Sequence, residues 1–114
     1  MSDCLFCKID RGDVPAEKVY EDDRVFAIKD INPQAPIHLL IIPKKHFSTV
    51  LEIQKEDHEL IGSIYSIANR LAKNNGLDQT GFRVVVNCGA EAGQSVFHIH
   101  YHLLGGRSLK WPPG

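Results

Sequence analysis

The sequence predicts an α+β domain built on an antiparallel sheet. Five short segments are rich in β-branched and aromatic residues, and one long segment repeats apolar residues every three or four positions. Gly-, Pro- and Asp-containing breaks separate them. At 114 residues the chain fits a single domain over 1–114. A monomer of this size buries only about two-thirds of the surface its unfolded chain exposes, so a dimer would help a limited core.

Cys4 to Arg11 reads as a short helix, with Ser2 or Asp3 as N-cap and Gly12 as its stop. Lys18–Tyr20 and Arg24–Lys29 read as two strands joined at the polar turn Glu21-Asp22-Asp23. Residues 30–36 form a loop, since Pro33 and Pro36 interrupt regular pairing. His38–Ile42 is an unbroken apolar run after its histidine, ended by Pro43, and suits a strand covered on both faces. The helix runs from about Lys55 to Lys73 with an apolar stripe of Leu60, Ile61, Ile64, Ile67, Ala68, Leu71 and Ala72. Glu56, Asp57 and Glu59 suit its positive N-terminal end, and Asn75-Gly76 its stop. Phe82–Asn87 and Val96–Leu104 are the last two strands, with a loop at Gly89, Ala90 and Gly93 between them. An antiparallel meander is the expected sheet.

Thirteen basic against fourteen acidic residues give a net charge of −1, without the dense basic footprint that holds a protein on a polynucleotide. Lys44-Lys45 alone reads as a solvated strand end. No apolar run approaches the ~20 residues of a membrane span, and Met1-Ser2-Asp3-Cys4 does not open a signal peptide. Three cysteines argue against a closed disulfide framework, so a reduced cytoplasmic setting is expected.

Five of the six histidines fall in two places, His38 with His46 and His98 with His100 and His102. Alternate strand residues share a face, so His98, His100 and His102 project together at steps of about 6.5–7 Å. Phe97, Ile99, Tyr101 and Leu103 take the other face, where the long helix can cover them. A lone strand histidine is commonly structural, but three on one face couple their protonation states for no structural benefit. They could bind a catalytic zinc, or one could attack phosphorus while its neighbours fix its tautomer. The preceding loop, Gly89 to Ser95, can bring backbone N–H groups and a hydroxyl up to an anion, which favours phosphorus.

His98-Ile99-His100-Tyr101-His102-Leu103-Leu104 resembles the signature of the histidine-triad family. The resemblance extends through Asp30–Pro36, His38, Pro43–His46, Val86-Asn87, Gly93–Ser95 and Gly105–Arg107. The tail Trp111-Pro112-Pro113-Gly114 resembles the Hint branch rather than the Fhit branch. The resemblance implies a HIT-like fold, a five-stranded antiparallel sheet with one long and one short helix, and a homodimer with a ten-stranded sheet. It also implies hydrolysis of nucleoside phosphoramidates and aminoacyl-adenylates of purines (AMP or GMP derivatives), with no cofactor required for catalysis. His100 resembles the nucleophile that becomes nucleotidylated, and His102 and His38 resemble its polar supports. Asp30 resembles the ribose-hydroxyl acceptor, with Ile31 against the base. Asn87, Gly93, Gln94 and Ser95 lie on the phosphate and leaving-group side, Ser95 as a candidate proton donor. Trp111 is placed to reach toward the partner subunit's site.

Cys4-Leu5-Phe6-Cys7 has the two-residue spacer of zinc ligands, and two small buried thiols are the competing reading. His46 and His98 would complete a tetrahedral structural zinc site, as some bacterial family members resemble; His98 would then be a ligand and not a catalytic group. Cys88 has no evident role. Competing functions are dinucleoside polyphosphate hydrolysis, a purine-nucleotide-binding interaction module, and a zinc hydrolase using the triad itself.

Overall fold

A computed structural model describes residues 4–114. Ser2 and Asp3, expected as helix caps, lie outside them. Helix α1 (Leu5–Arg11) is capped by Cys4, whose Sγ accepts the Cys7 N–H at 3.4 Å. It ends at Gly12 in the left-handed region (φ 87°), which a glycine enters without a Cβ clash.

Strands β1 (Lys18–Glu21) and β2 (Val25–Lys29) form a hairpin. Asp22 Oδ1 fixes its turn by accepting the N–H groups of Arg24 and Val25, each at 2.8 Å. β3 (Ile37–Pro43) is buried along nearly its whole length, as its apolar run requires. The long helix α2 (His58–Asn74) begins three residues later than its charge pattern indicates, because Lys55–Asp57 tightens into a 3₁₀ turn. Asp57 explains the change: its Oδ2 takes the Gln54 N–H at 2.9 Å while its Oδ1 takes the Lys45 ammonium at 2.6 Å. Asn75 and Gly76 end α2 as expected, and a four-residue helix α3 (Leu77–Thr80), which has too few residues to show a period, precedes β4 (Phe82–Val86).

The last strand, β5, is Tyr101–Gly105, shorter than the Val96–Leu104 expected. Its register against β3, Ile41↔Tyr101 to Ile37↔Gly105, would bring Pro43 opposite Ile99 if continued. Proline has no N–H to offer, so the ladder stops. Residues 98–100 instead run beside the 43–47 segment, tied by the Ile99 N–H to the Phe47 carbonyl at 2.9 Å. The sheet is antiparallel and five-stranded, but the meander holds only for the first three strands. The order is β1-β2-β3-β5-β4, because β5 inserts between β3 and β4. The burial patterns account for this: β5 is buried at alternate positions and fills a central slot, whereas β4 is half-exposed and takes the edge.

The two faces of the sheet are covered unequally. Leu60, Ile64, Ile67, Ala68, Leu71 and Ala72 of α2 pack on Val25, Ala27, Leu39, Ile41, Ile99, Tyr101 and Leu103. On the opposite face the seven-residue α1 sets Phe6 and Ile9 against Phe26, Ile28, Leu40 and Ile42, with Val14 and Val96 partly buried beside them. Ile99, Tyr101 and Leu103 face α2 as expected, but Phe97 is exposed, since it precedes the strand. Ile61 of the expected stripe is only partly buried. Among the described residues no helix is long and apolar enough to cross a membrane.

Candidate active site and metal cluster

Beside α1, the uncovered part of the sheet forms a cleft of about 370 Å³. Leu5, Phe6 and Ile9 make one wall, Val14 to Ala16 and Ile28 to Ile31 another, and Ser95, Val96, His100 and His102 close the remainder. The cleft is therefore lined mainly by apolar side chains, with two imidazoles, the Asp30 carboxylate, Lys29 and the Ser95 hydroxyl among them.

The hydrogen bonds of the histidines fix where their protons reside. The Gln34 N–H can only donate, so His38 Nδ1, 3.0 Å away, accepts and a neutral His38 is protonated on Nε2. That N–H reaches His102 Nδ1 at 2.9 Å, with Asp30 Oδ2 at 3.3 Å. His102 Nδ1 accepts, which leaves the His102 proton on Nε2. His100 Nδ1 lies 2.9 Å from the His98 carbonyl, which can only accept, so His100 holds its proton on Nδ1 and keeps a lone pair on Nε2. The His100 and His102 rings are 5.1 Å apart, and both line the cleft. A relay from Gln34 through His38 and His102 thus orients N–H groups in one direction beside a ring whose free nitrogen is nucleophilic.

Burial keeps these rings neutral. It is the main cause lowering the affinity of His38 and His100 for a proton, and the Asp30 charge opposes it in both. His102 is pushed down to about 4 by burial, with the neighbouring His100 and His38 adding to the shift.

His98 does not join this group, so the expectation that three aligned imidazoles enter one cleft is corrected: two line it, with His38 supporting from β3. His98 turns to a second cluster. Its Nε2 donates to the Pro43 carbonyl at 2.7 Å, which leaves the Nδ1 lone pair facing Cys4 Sγ at 3.2 Å, Cys7 Sγ at 3.6 Å and His46 Nδ1 at 3.1 Å. Cys7 Sγ is also 3.6 Å from His46 Nδ1. A tetrahedral zinc ion with ordinary bond lengths separates two nitrogens by about 3.3 Å and a nitrogen from a sulfur by about 3.6 Å. The donor set and its spacing fit zinc. Burial, followed by the Cys4 thiol, raises the Cys7 proton affinity, and a divalent cation would relieve that by favouring thiolates.

Asp30, His38 and His102 also lie close enough to bracket an ion. The donor chemistry does not fit there, because the Gln34 N–H places the His38 proton on Nε2, the nitrogen that would have to bind.

Ser95, Asp30 and Ile31 line the cleft, with Ile31 almost fully exposed at its rim. Asn87, Gly93 and Gln94 are not among the lining residues. Gln94 is buried and committed to the loop: its Oε1 accepts the Gly89 N–H at 2.9 Å and its Nε2 donates to the carbonyls of Ser48 and Val96 at 2.7 and 3.1 Å. Sequence reasoning missed the α1 wall. The signal was the apolar spacing Leu5, Phe6, Ile9, which the cysteine pair overshadowed. Cys88 is half-buried and unbridged.

Fold and site together define a class, a small α+β domain that gathers imidazoles from β3, β5 and the residue just before β5 at a cleft on one face of its sheet. The chain belongs to the HIT domain family, whose family model matches residues 11–109. It is 50% identical over 112 residues to an uncharacterised HIT-like protein of Synechocystis sp., covering 98% of this chain and 97% of that protein. A 14 kDa zinc-binding protein of Zea mays is 50% identical over 115 residues, with coverage of 99% and 89%. The crystal structure of a HIT family hydrolase from Legionella pneumophila superposes with a TM-score of 0.97 at 52% identity, covering 98% and 100% of the two chains.

Proposed function

We propose that the chain is a hydrolase of nucleoside 5′-phosphoramidates and aminoacyl-adenylates, acting through a covalent nucleotidyl-histidine. The observation that carries this reading is the tautomer of His100, whose Nε2 lone pair is set by the bond from Nδ1 to the His98 carbonyl. The apolar side chains lining the cleft suit a purine base beside Ile31, and Asp30 lines the same cleft, where ribose hydroxyls would meet it.

In this reading His100 Nε2 attacks the α-phosphorus, a bond forms between them, and the P–N or mixed-anhydride bond breaks. Negative charge on the phosphoryl oxygens meets the His102 Nε2–H, already oriented by His38, together with the hydroxyl and backbone of Ser95 at the end of the Gly93–Ser95 loop. Asn87 and Gln94 support that loop side. An amine leaving group takes a proton from Ser95 or a histidine. Water then attacks the phosphorus, releases the nucleoside monophosphate and returns the lone pair to His100. No step of this reading is routed through a metal; Cys4, Cys7, His46 and His98 would hold a structural zinc, which would tie α1 to the 98–100 segment. Keeping Cys4 and Cys7 as ligands requires a reducing compartment such as the cytoplasm.

The β4 edge, with Phe82 and Val86 exposed, supports pairing of two copies into a ten-stranded homodimer, toward whose second site the exposed Trp111 would extend.

Mass spectrometry of protein quenched during turnover of adenosine phosphoramidate should find the adenylyl adduct on His100. His100→Ala should remove turnover yet keep AMP binding within about tenfold, a change of ~1.4 kcal/mol. Turnover in that variant would remove His100 from the chemistry, and far faster cleavage of diadenosine polyphosphates would move the substrate class.

A further inference from the structure

Helix α1 carries two of the four cluster ligands at its start and one wall of the cleft along its side. We propose that occupation of the Cys4/Cys7/His46/His98 cluster by a divalent cation and occupation of the cleft by nucleotide are coupled, each tightening the other through α1 and the His98–His100 segment. The inference rests on the nucleotide-cleft reading above and deepens it by assigning the metal cluster a regulatory part.

Two connections within the molecule carry it. The first is α1 itself. A helix of seven residues is far below the length that holds together alone in water, and it buries only Phe6 and Ile9. Cys4 caps it and Cys7 lies one turn on, so a cation bound by both cysteines pins its first turn to His46 and His98. The same turn presents Leu5 and Phe6 to the cleft, with Ile9 one turn further. A nucleotide base packed on that wall and a cation held at its start therefore order the same short element. Whichever binds first bears the loss of conformational freedom, and the other binds to a helix already in place.

The second connection is His98. Its Nδ1 points into the metal cluster, while its own carbonyl oxygen receives the His100 Nδ1–H at 2.9 Å. Phe6 sits against both rings, edge-on, with centroids 5.9 Å from His98 and 5.0 Å from His100. Loss of the cation removes the restraint on His98 Nδ1 and leaves the ring held by its Nε2–H bond to the Pro43 carbonyl, so the acceptor that orients the nucleophile and the aromatic contact that supports it are less firmly placed.

Because the coupling is one free energy, it must appear equally from both sides. On the full chain, zinc affinity is measured by competition with a chromophoric chelator, with and without saturating AMP. AMP affinity is measured by calorimetry on zinc-loaded and chelator-stripped protein. The expected result is the same tightening in both experiments, within roughly 5- to 150-fold. Phe6→Leu, which keeps an apolar side chain but removes the ring between the two imidazoles, should shrink that factor at least threefold while still binding zinc. AMP binding that is equal in the two forms, or stronger in the stripped one, overturns the inference and leaves the proposed function standing. Absence of zinc binding overturns it as well. Failure of AMP to bind either form removes the functional reading and the coupling with it.

Discussion

His38 illustrates how one backbone contact reaches the chemistry. The Gln34 N–H sets its proton on Nε2, and that proton sets the one on His102. In the proposed reaction, replacing His38 by Phe removes the donor to His102 Nδ1 and leaves the His102 tautomer free. We expect kcat for adenosine phosphoramidate to fall roughly 10- to 100-fold, by analogy with loss of a partner that orients a metal-bound histidine, with a smaller change in KM. Steady-state kinetics of the two proteins check this. The same rings make folding pH-dependent. Burial depresses His102 to about 4, against about 6.5 in the unfolded chain, and lowers His38 and His100 in the same direction. The unfolded state therefore binds more protons below pH 6.5. Stability from these groups is fully present above that pH and is lost as the pH falls toward 4. Thermal unfolding monitored from pH 7 to pH 4 should show the midpoint falling across that window, and by less in His102→Asn. The residue types at this site were legible in the sequence because alternation on a strand is a local rule. The separate fate of His98 was not, since it depends on where Pro43 and the two cysteines arrive in space.

At the scale of elements, α2 shows what a sequence reveals most fully. Its stripe has the right residues, and Leu60, Ile64, Ile67 and Leu71 are all buried against the sheet. Ile64 is 1% exposed, so Ile64→Ala should destabilise the fold by about 2–5 kcal/mol in chemical denaturation. Gly106 is a sharper case. Its φ of 93° lies in the left-handed region, and a Cβ there would meet Pro36 Cβ at 2.9 Å, on a ring that cannot rotate away. Gly106→Ala should therefore destabilise by at least about 1–2 kcal/mol from backbone strain, before any shift of the 30–36 loop beside His38. Boundaries were harder to read than elements. The expected last strand overran by five residues at its start because the termination belongs to Pro43, more than fifty residues away, and α3 escaped notice because four residues carry no period.

For the whole molecule, the sheet has a free edge at β4, half-exposed and apolar at Phe82, Val84 and Val86. An edge of this composition invites pairing, and the proposed homodimer closes it. Sedimentation at micromolar concentration should find a dimer, and Val86→Lys should move the population toward monomer by placing a charge in the joint. The strand order was not readable from the chain, since the local pattern of β5 is equally compatible with a place beside β4 alone. The apolar run of β3 indicated cover on both faces, which does not specify the strands beside it.

The seventeen residues of α2 shield one side of the sheet, whereas seven residues are assigned to the other. A lengthened first helix would hide more hydrocarbon and raise the melting temperature, but it would do so by lying across the hollow where the proposed substrate enters. The vacancy in the roof is thus a concession of robustness to access, and stabilising substitutions gathered by selection for heat resistance alone should accumulate on the α2 side.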